Sequence, residues 1–358
     1  MLALIVAFAA AYSATCVCLH RFVLCTGQAV QRSAMCVDAT GHPREIHFKA
    51  LGGDLGTAVV AREIFDTEVY THNGVHVPTT GSPVVLDIGC NIGLFSMFVM
   101  ERNPDAVVVA AEPIPFLHAL AVHNTTRYHQ RVWVEQVGVA ASEQSEVDFV
   151  VDPRITAGAS MFEADIIRPW KSTSVCVQLS IVLGDNVRAK SLPAAPFLWV
   201  SALLRVPVLQ WLVLTALLPF LVLFVWFLLL APSQKATVRC ACVPLGRLLL
   251  CSAARMPDAV MRHRVLNGPI ALMKVDVEGA EWEVLRGITD AEWQRVEQIV
   301  VEVHDVEDRV CGVEKLLQHQ GFKSIRTTQE DWDSHGVLHI KSVFASRREA
   351  APVSRATD

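Results

Sequence analysis

Residues 84–93 read Val-Val-Leu-Asp-Ile-Gly-Cys-Asn-Ile-Gly, and they restrict the fold more than any other stretch. An apolar strand over 84–88 carries Asp87 near its end, Gly89 and Gly93 shape a turn, and a helical pattern begins at Leu94. Glycine has no Cβ and tolerates positive φ, so such a turn lets backbone come close to a ligand. A dinucleotide-binding turn carries Gly-x-Gly-x-x-Gly, which cradles a pyrophosphate on a helix N-terminus. Here the spacing is Asp-x-Gly-x-x-x-Gly, with Asn91 at the second glycine position. The turn therefore suits a nucleoside ligand without a pyrophosphate.

Strand and helix patterns then alternate. Strands are expected over 84–88, 106–111, 132–137 and, more polar, 146–151; later strands cover 270–275 and 298–303. Helices are expected over 94–100, 115–128, 280–286 and 313–320. A closing hairpin pairs 322–327 with 337–345. A short helix over 58–65 and extended pieces at 68–70 and 75–77 precede the first core strand. This alternation implies an α/β fold: a Rossmann-like, doubly wound, mostly parallel sheet with a C-terminal antiparallel hairpin at one edge. The domain runs over 58–347, after a poorly patterned linker at 21–57 and before a tail at 348–358.

The chemistry-bearing residues fall at strand ends. Glu112 ends the second strand, 19 residues beyond Gly93, where a carboxylate can accept hydrogen bonds from ribose hydroxyls. Asp87, Gly89, Asn91, Gly93 and Glu112 are the candidate cofactor residues, and S-adenosylmethionine fits them. A second cluster reads Met273-Lys274-Val275-Asp276-Val277-Glu278-Gly279-Ala280-Glu281. Asp276 is expected beside the reacting group, with Glu278 ordering the loop or holding a substrate hydroxyl. Glu281 falls in a first helical turn and complements its dipole. Residues 298–305 form an apolar strand with polar ends, and period two puts Glu302 and His304 on one face. Imidazole titrates near neutrality, so His304 can serve as a base or simply order its neighbours.

Composition adds a membrane expectation. Hydrophobic residues make up 52% and charged residues 19% of 358 residues, and mean hydropathy is +0.36. Residues 1–20 resemble a signal peptide or anchor, and 196–232 form an apolar insertion. As a helix, its apolar stretch 206–230 would be about 38 Å long, enough for a ~30 Å hydrocarbon core. Membrane association through residues 1–20 and 206–231 is therefore expected, with the side undetermined. One crossing would separate Asp87 from Asp276 and leave strand edges unsatisfied. A re-entrant hairpin tipped at Pro219, an interfacial segment or a spurious insertion in the coding sequence would avoid that. A net charge of −5 without a long basic run argues against nucleic acid as a partner. The ten cysteines show no zinc spacing, so no metal is expected and the thiols are read as buried or free. The sequon Asn124-Thr125-Thr126 lies at the end of a core helix and is discounted as a glycosylation site.

Taken together, Val-Leu-Asp-Ile-Gly-Cys-Asn-Ile-Gly-Leu-Phe-Ser, then Ala-Glu-Pro-Ile-Pro, then Met-Lys-Val-Asp-Val-Glu-Gly-Ala-Glu-Trp-Glu-Val-Leu-Arg-Gly resemble the FkbM-type methyltransferase family. Ile-Val-Val-Glu-Val-His and the closing Val-Phe-Ala-Ser-Arg agree. The resemblance covers 58–347 apart from the insertion, and Cys90 stands where the family often has alanine. It implies a class I methyltransferase sheet and S-adenosylmethionine-dependent O-methylation of a hydroxyl on a small molecule or sugar. On that reading Asp276, Glu278 and His304 surround a small-molecule or glycan acceptor. The alternatives are a nicotinamide-dependent oxidoreductase on the same sheet, which the missing Gly-x-Gly-x-x-Gly opposes, and a membrane protein with an inactive methyltransferase fold. Neither the acceptor nor the oligomeric state is written in the sequence.

Overall fold

The structure, a computed structural model, describes residues 28–52, 54, 56–152, 155–160, 235–329 and 339–349. The described residues open with β1 (Ala29–Val37) and β2 (Pro43–Leu51), an antiparallel hairpin. This replaces part of the expected linker. In β2, Ile46, Phe48 and Ala50 are buried at every second position, the period of a half-buried strand. After the helix Gly56–Phe65 the chain turns over 68–70 instead of extending. Glu68 and Asn73 take positive φ there, and the Glu68 carbonyl accepts the Thr71 N–H at 2.8 Å.

The remaining strands among the described residues are β3 (Val84–Ile88), β4 (Val107–Ala111), β5 (Val132–Glu135), β6 (Gly138–Val139), β7 (Gln144–Asp152), β8 (Ile155–Ser160), β9 (Ala236–Val243), β10 (Ile270–Val275), β11 (Gln298–His304), β12 (Ser324–Gln329) and β13 (Ile340–Ser346). Seven of them form one sheet in the order β12-β13-β11-β10-β3-β4-β5. β11, β10, β3, β4 and β5 run parallel, and β13 lies antiparallel between β11 and β12. The doubly wound sheet with a C-terminal antiparallel hairpin is therefore what the chain forms. The strand order reverses beside β3, the switch point where open α/β sheets bind ligands.

β3, β4 and β10 are buried along their whole lengths, because helices cover both sheet faces. Period two splits their side chains. Val85, Val108 and Leu272 join the core shared with the hairpin and the helices Leu94–Arg102 and Pro115–Thr125. Leu86, Val109 and Met273 join the core under the helices Leu245–Arg255 and Ala259–Asn267. Asn124 is buried at the edge of the first core, where its amide bridges the Lys49 and Ile92 carbonyls, each at 2.9 Å. The described cysteines Cys36, Cys90, Cys240, Cys242, Cys251 and Cys311 are free thiols.

A smaller four-stranded sheet has the order β6-β9-β7-β8. In it Val150 of β7 pairs with Ser160 of β8 on one side and with Thr237 of β9 on the other. The residues flanking 161–234 thus belong to one sheet, and β3 and β10 pair directly. The membrane placement expected from the sequence is corrected on this ground: among the described residues no helix is long and apolar enough to cross a membrane. A single crossing between β8 and β9 would also separate two strands that share β7. The apolar segments at 1–20 and 206–231 and most of the tail at 348–358 lie outside the described residues.

Candidate active site

The glycine turn follows β3. Gly89, Asn91 and Gly93 all take positive φ, at 77°, 51° and 84°. A Cβ on Gly89 would lie 1.8 Å from the Asp276 carbonyl oxygen, so only glycine lets this turn pack on the end of β10. Asparagine is among the few other residues that adopt this backbone readily, which accounts for Asn91.

Glu112 closes the same turn from the next strand. Its carboxylate accepts the Asn91 and Ile114 N–H groups, both at 2.9 Å. Burial pushes its pKa up to about 8, against the pull of those two donors.

Asp87 lies one strand away and is fully buried. The Ser96 hydroxyl donates to its Oδ2 at 2.7 Å, and the Lys274 ammonium stands 3.3 Å from its Oδ1. Lys274 is the β10 register partner of Asp87. It also donates to the Gly89 carbonyl at 3.0 Å and stands 3.3 Å from Asp276 Oδ2. Burial opposes its charge, but Asp276 and Asp87 outweigh that and hold its pKa above the ordinary lysine value. The Tyr70 ring covers the ammonium at 5.0 Å, and its hydroxyl donates to Asp276 Oδ2 at 2.8 Å.

The loop after Asp276 turns sharply, with φ of 51° at Glu278 and 95° at Gly279. Here the buried His304 lies between two carboxylates. Its Nδ1 is 2.9 Å from Glu281 Oε1, and its Nε2 is 3.3 Å from Glu278 Oε2. Burial disfavours the charged ring, yet the two carboxylates prevail and raise the His304 pKa well above its ordinary value. The two carboxylates thus favour the protonated ring over the neutral one. Glu281 does more than complement a helix: it also accepts the Gly279 N–H at 2.6 Å and an Arg309 N–H at 3.1 Å. Burial pushes the Glu278 pKa up to about 7, against the pull of His304. Asp276, Glu278 and Glu302 each bring a carboxylate oxygen within 4.8 Å of the others.

The structure thus gathers the sequence-derived residues into two linked groups at the carboxyl end of β3, β4, β10 and β11. The glycine turn and Glu112 form one, and Asp276, Glu278 and His304 form the other. Asp87 joins them through Lys274. Tyr70, Lys274 and Arg309 are additions to the sequence reading. Lys274 had a signal: a charge inside a strand buried on both faces must be paired. Tyr70 had none, since a turn brings it to the site.

Residues 235–333 match the family model described as a methyltransferase FkbM domain. The chain is 27% identical over 263 residues to 31-O-demethyl-FK506 methyltransferase FkbM of Streptomyces tacrolimicus, covering 73% of this chain and 80% of that protein. It is 29% identical over 291 residues to AMB antimetabolite synthetase AmbE of Pseudomonas aeruginosa, covering 75% of this chain but only 11% of that much longer protein. A crystal structure of methyltransferase FkbM from Methylobacillus flagellatus KT aligns over 74% of this chain and 43% of that one, at 11% identity and a TM-score of 0.37.

Proposed function

We propose that this chain, a relative of the FkbM methyltransferases, transfers the methyl group of S-adenosylmethionine to a hydroxyl oxygen of a small molecule or sugar. The observation carrying the reading is that Asp87, Glu112 and Asp276 end three adjacent strands, with the glycine turn bonded between them. The residues fit the cofactor. Glu112 retains oxygen lone pairs for ribose hydroxyls, and Asp276 Oδ1 is buried with no hydrogen-bond partner. When bound, S-adenosylmethionine supplies a methyl group on a positive sulfur that departs as a neutral thioether.

The protein's part is to align, to exclude water and to take a proton. Alignment of donor and acceptor alone is worth roughly 7–11 kcal/mol in favourable cases. Glu278 is the better base of the pair. Its pKa of about 7 suits proton transfer near neutrality. Both His304 nitrogens face carboxylates, so His304 orders Glu278 and Glu281 instead of accepting the acceptor's proton. As the new O–C bond forms, the hydroxyl proton passes to the Glu278 carboxylate.

Calorimetric titration of the full chain with S-adenosylmethionine, and separately with NADH, tests the reading. Micromolar binding of S-adenosylmethionine with none of NADH is expected. Failure of the folded chain to bind S-adenosylmethionine overturns the proposal.

A further inference from the structure

We infer that Tyr70 and Lys274 are positioning residues that hold one oxygen of Asp276, so that its other oxygen meets the positive sulfur of the methyl donor. The inference rests on the reading of the chain as an S-adenosylmethionine-dependent methyltransferase.

Three observations carry it. The Tyr70 hydroxyl and the Lys274 ammonium both engage Oδ2 of Asp276, at 2.8 and 3.3 Å. Oδ1 of the same carboxylate is buried and accepts no hydrogen bond, a costly arrangement that functional sites tolerate. Finally, the clamp is itself held on several sides. Lys274 is tied to Asp87 and to the Gly89 carbonyl. Tyr70 packs edge-on against Phe95 and over the Lys274 ammonium. Its segment is pinned to β11, because the His76 N–H donates to the Gln298 side chain at 3.0 Å.

The chemistry follows from where charge changes. The donor carries a positive sulfur before transfer and a neutral one after it. A carboxylate fixed beside that sulfur favours the donor over the product, whereas one free to rotate spreads its field and loses the preference. Lys274 does not cancel the effect, because its charge is shared with Asp87.

Tyr70→Phe isolates the hydroxyl, since the ring keeps its packing on Phe95 and its place over Lys274. Titration calorimetry with S-adenosylmethionine and with S-adenosylhomocysteine gives the readout, beside thermal melting. Tyr70→Phe is expected to weaken S-adenosylmethionine about tenfold and S-adenosylhomocysteine less than about twofold, the scale of one hydrogen bond to a charged group. Asp276→Asn, which removes the charge in place, is expected to give the same selective loss and serves if Tyr70→Phe does not fold. Equal weakening of both ligands, or no change in either, overturns the inference while leaving the methyltransferase reading intact. A wild-type chain that binds neither ligand overturns the methyltransferase reading itself.

Discussion

Gly89→Ala offers the sharpest test of how the site is assembled. Gly89 has φ +77°, and a Cβ there would sit 1.8 Å from the Asp276 carbonyl oxygen. Ordinary contact needs about 3.5 Å, so the turn and the end of β10 would have to part by more than 1 Å. Three bonds cross that gap or brace it: Asp276 N–H to Ile88 O, Gly89 N–H to Ala111 O, and Lys274 to Gly89 O, each 3.0 Å. Losing two or three at roughly 1 kcal/mol each, plus about 1–2 kcal/mol for a left-handed alanine, gives about 3–5 kcal/mol. Gly81 is the internal control. Its φ is +73°, but nothing lies within 4 Å of a Cβ built on it. Gly81→Ala should therefore cost only the backbone part, about 1–2 kcal/mol. Urea unfolding of the two variants isolates the clash as their difference. If Gly89→Ala costs no more than Gly81→Ala, the close packing of the turn on β10 is not what makes glycine necessary.

Three further outcomes are expected. The pKa of about 8 at Glu112 means that its ionised form, the one suited to accept ribose hydroxyls, grows from about a tenth to nine tenths of molecules between pH 7 and 9. S-adenosylmethionine affinity should then rise about tenfold over that range, and Glu112→Gln should flatten the rise in calorimetric titrations. His304→Gln removes the protonatable ring between the buried Glu281 and the half-buried Glu278 and should destabilise the chain by about 3 kcal/mol at pH 6. Because the folded-state pKa of His304 is raised, its contribution is fully present below the unfolded value and fades as pH rises through the folded one. The stability gap between wild type and variant should therefore shrink at alkaline pH, and a constant gap in urea titrations would refute the charge assignment. Ser160 and Thr237 flank Val150 on neighbouring strands, so they lie about 10 Å apart, two strand spacings. Replacing 163–233 by a six-residue Gly/Ser linker should leave S-adenosylmethionine affinity within about twofold, and loss of binding would show that the domain needs the excised residues.

Much of this arrangement is legible in the chain because strand ends have a local signature. The apolar runs ending at Asp87, Glu112 and Asp276 each break at a carboxylate followed by glycine or proline within three residues. The β1–β2 hairpin escapes because its period-two burial is confined to one short run, Ile46, Phe48 and Ala50, while the alternate positions and most of β1 stay exposed or half-buried. The helix Leu245–Arg255 buries a regular stripe at Leu245, Leu248, Leu249, Ser252 and Ala253, but its pattern merges with the apolar residues that precede it in the sequence. Tyr70 is 206 residues from Asp276, and no local pattern encodes that contact. His304 is visible as a titratable strand-end residue. Its burial between Glu278 and Glu281, which decides its charge, is a tertiary property.

The left-handed backbone at Glu278 has a cost that extends to the whole molecule. A glutamate held at φ 51° stores on the order of 1–3 kcal/mol that a glycine would release. Glu278→Gly should release that strain while removing the carboxylate beside His304. At this position durability and chemistry pull in opposite directions, so selection for a tougher protein alone would erode the loop that we assign to the reaction.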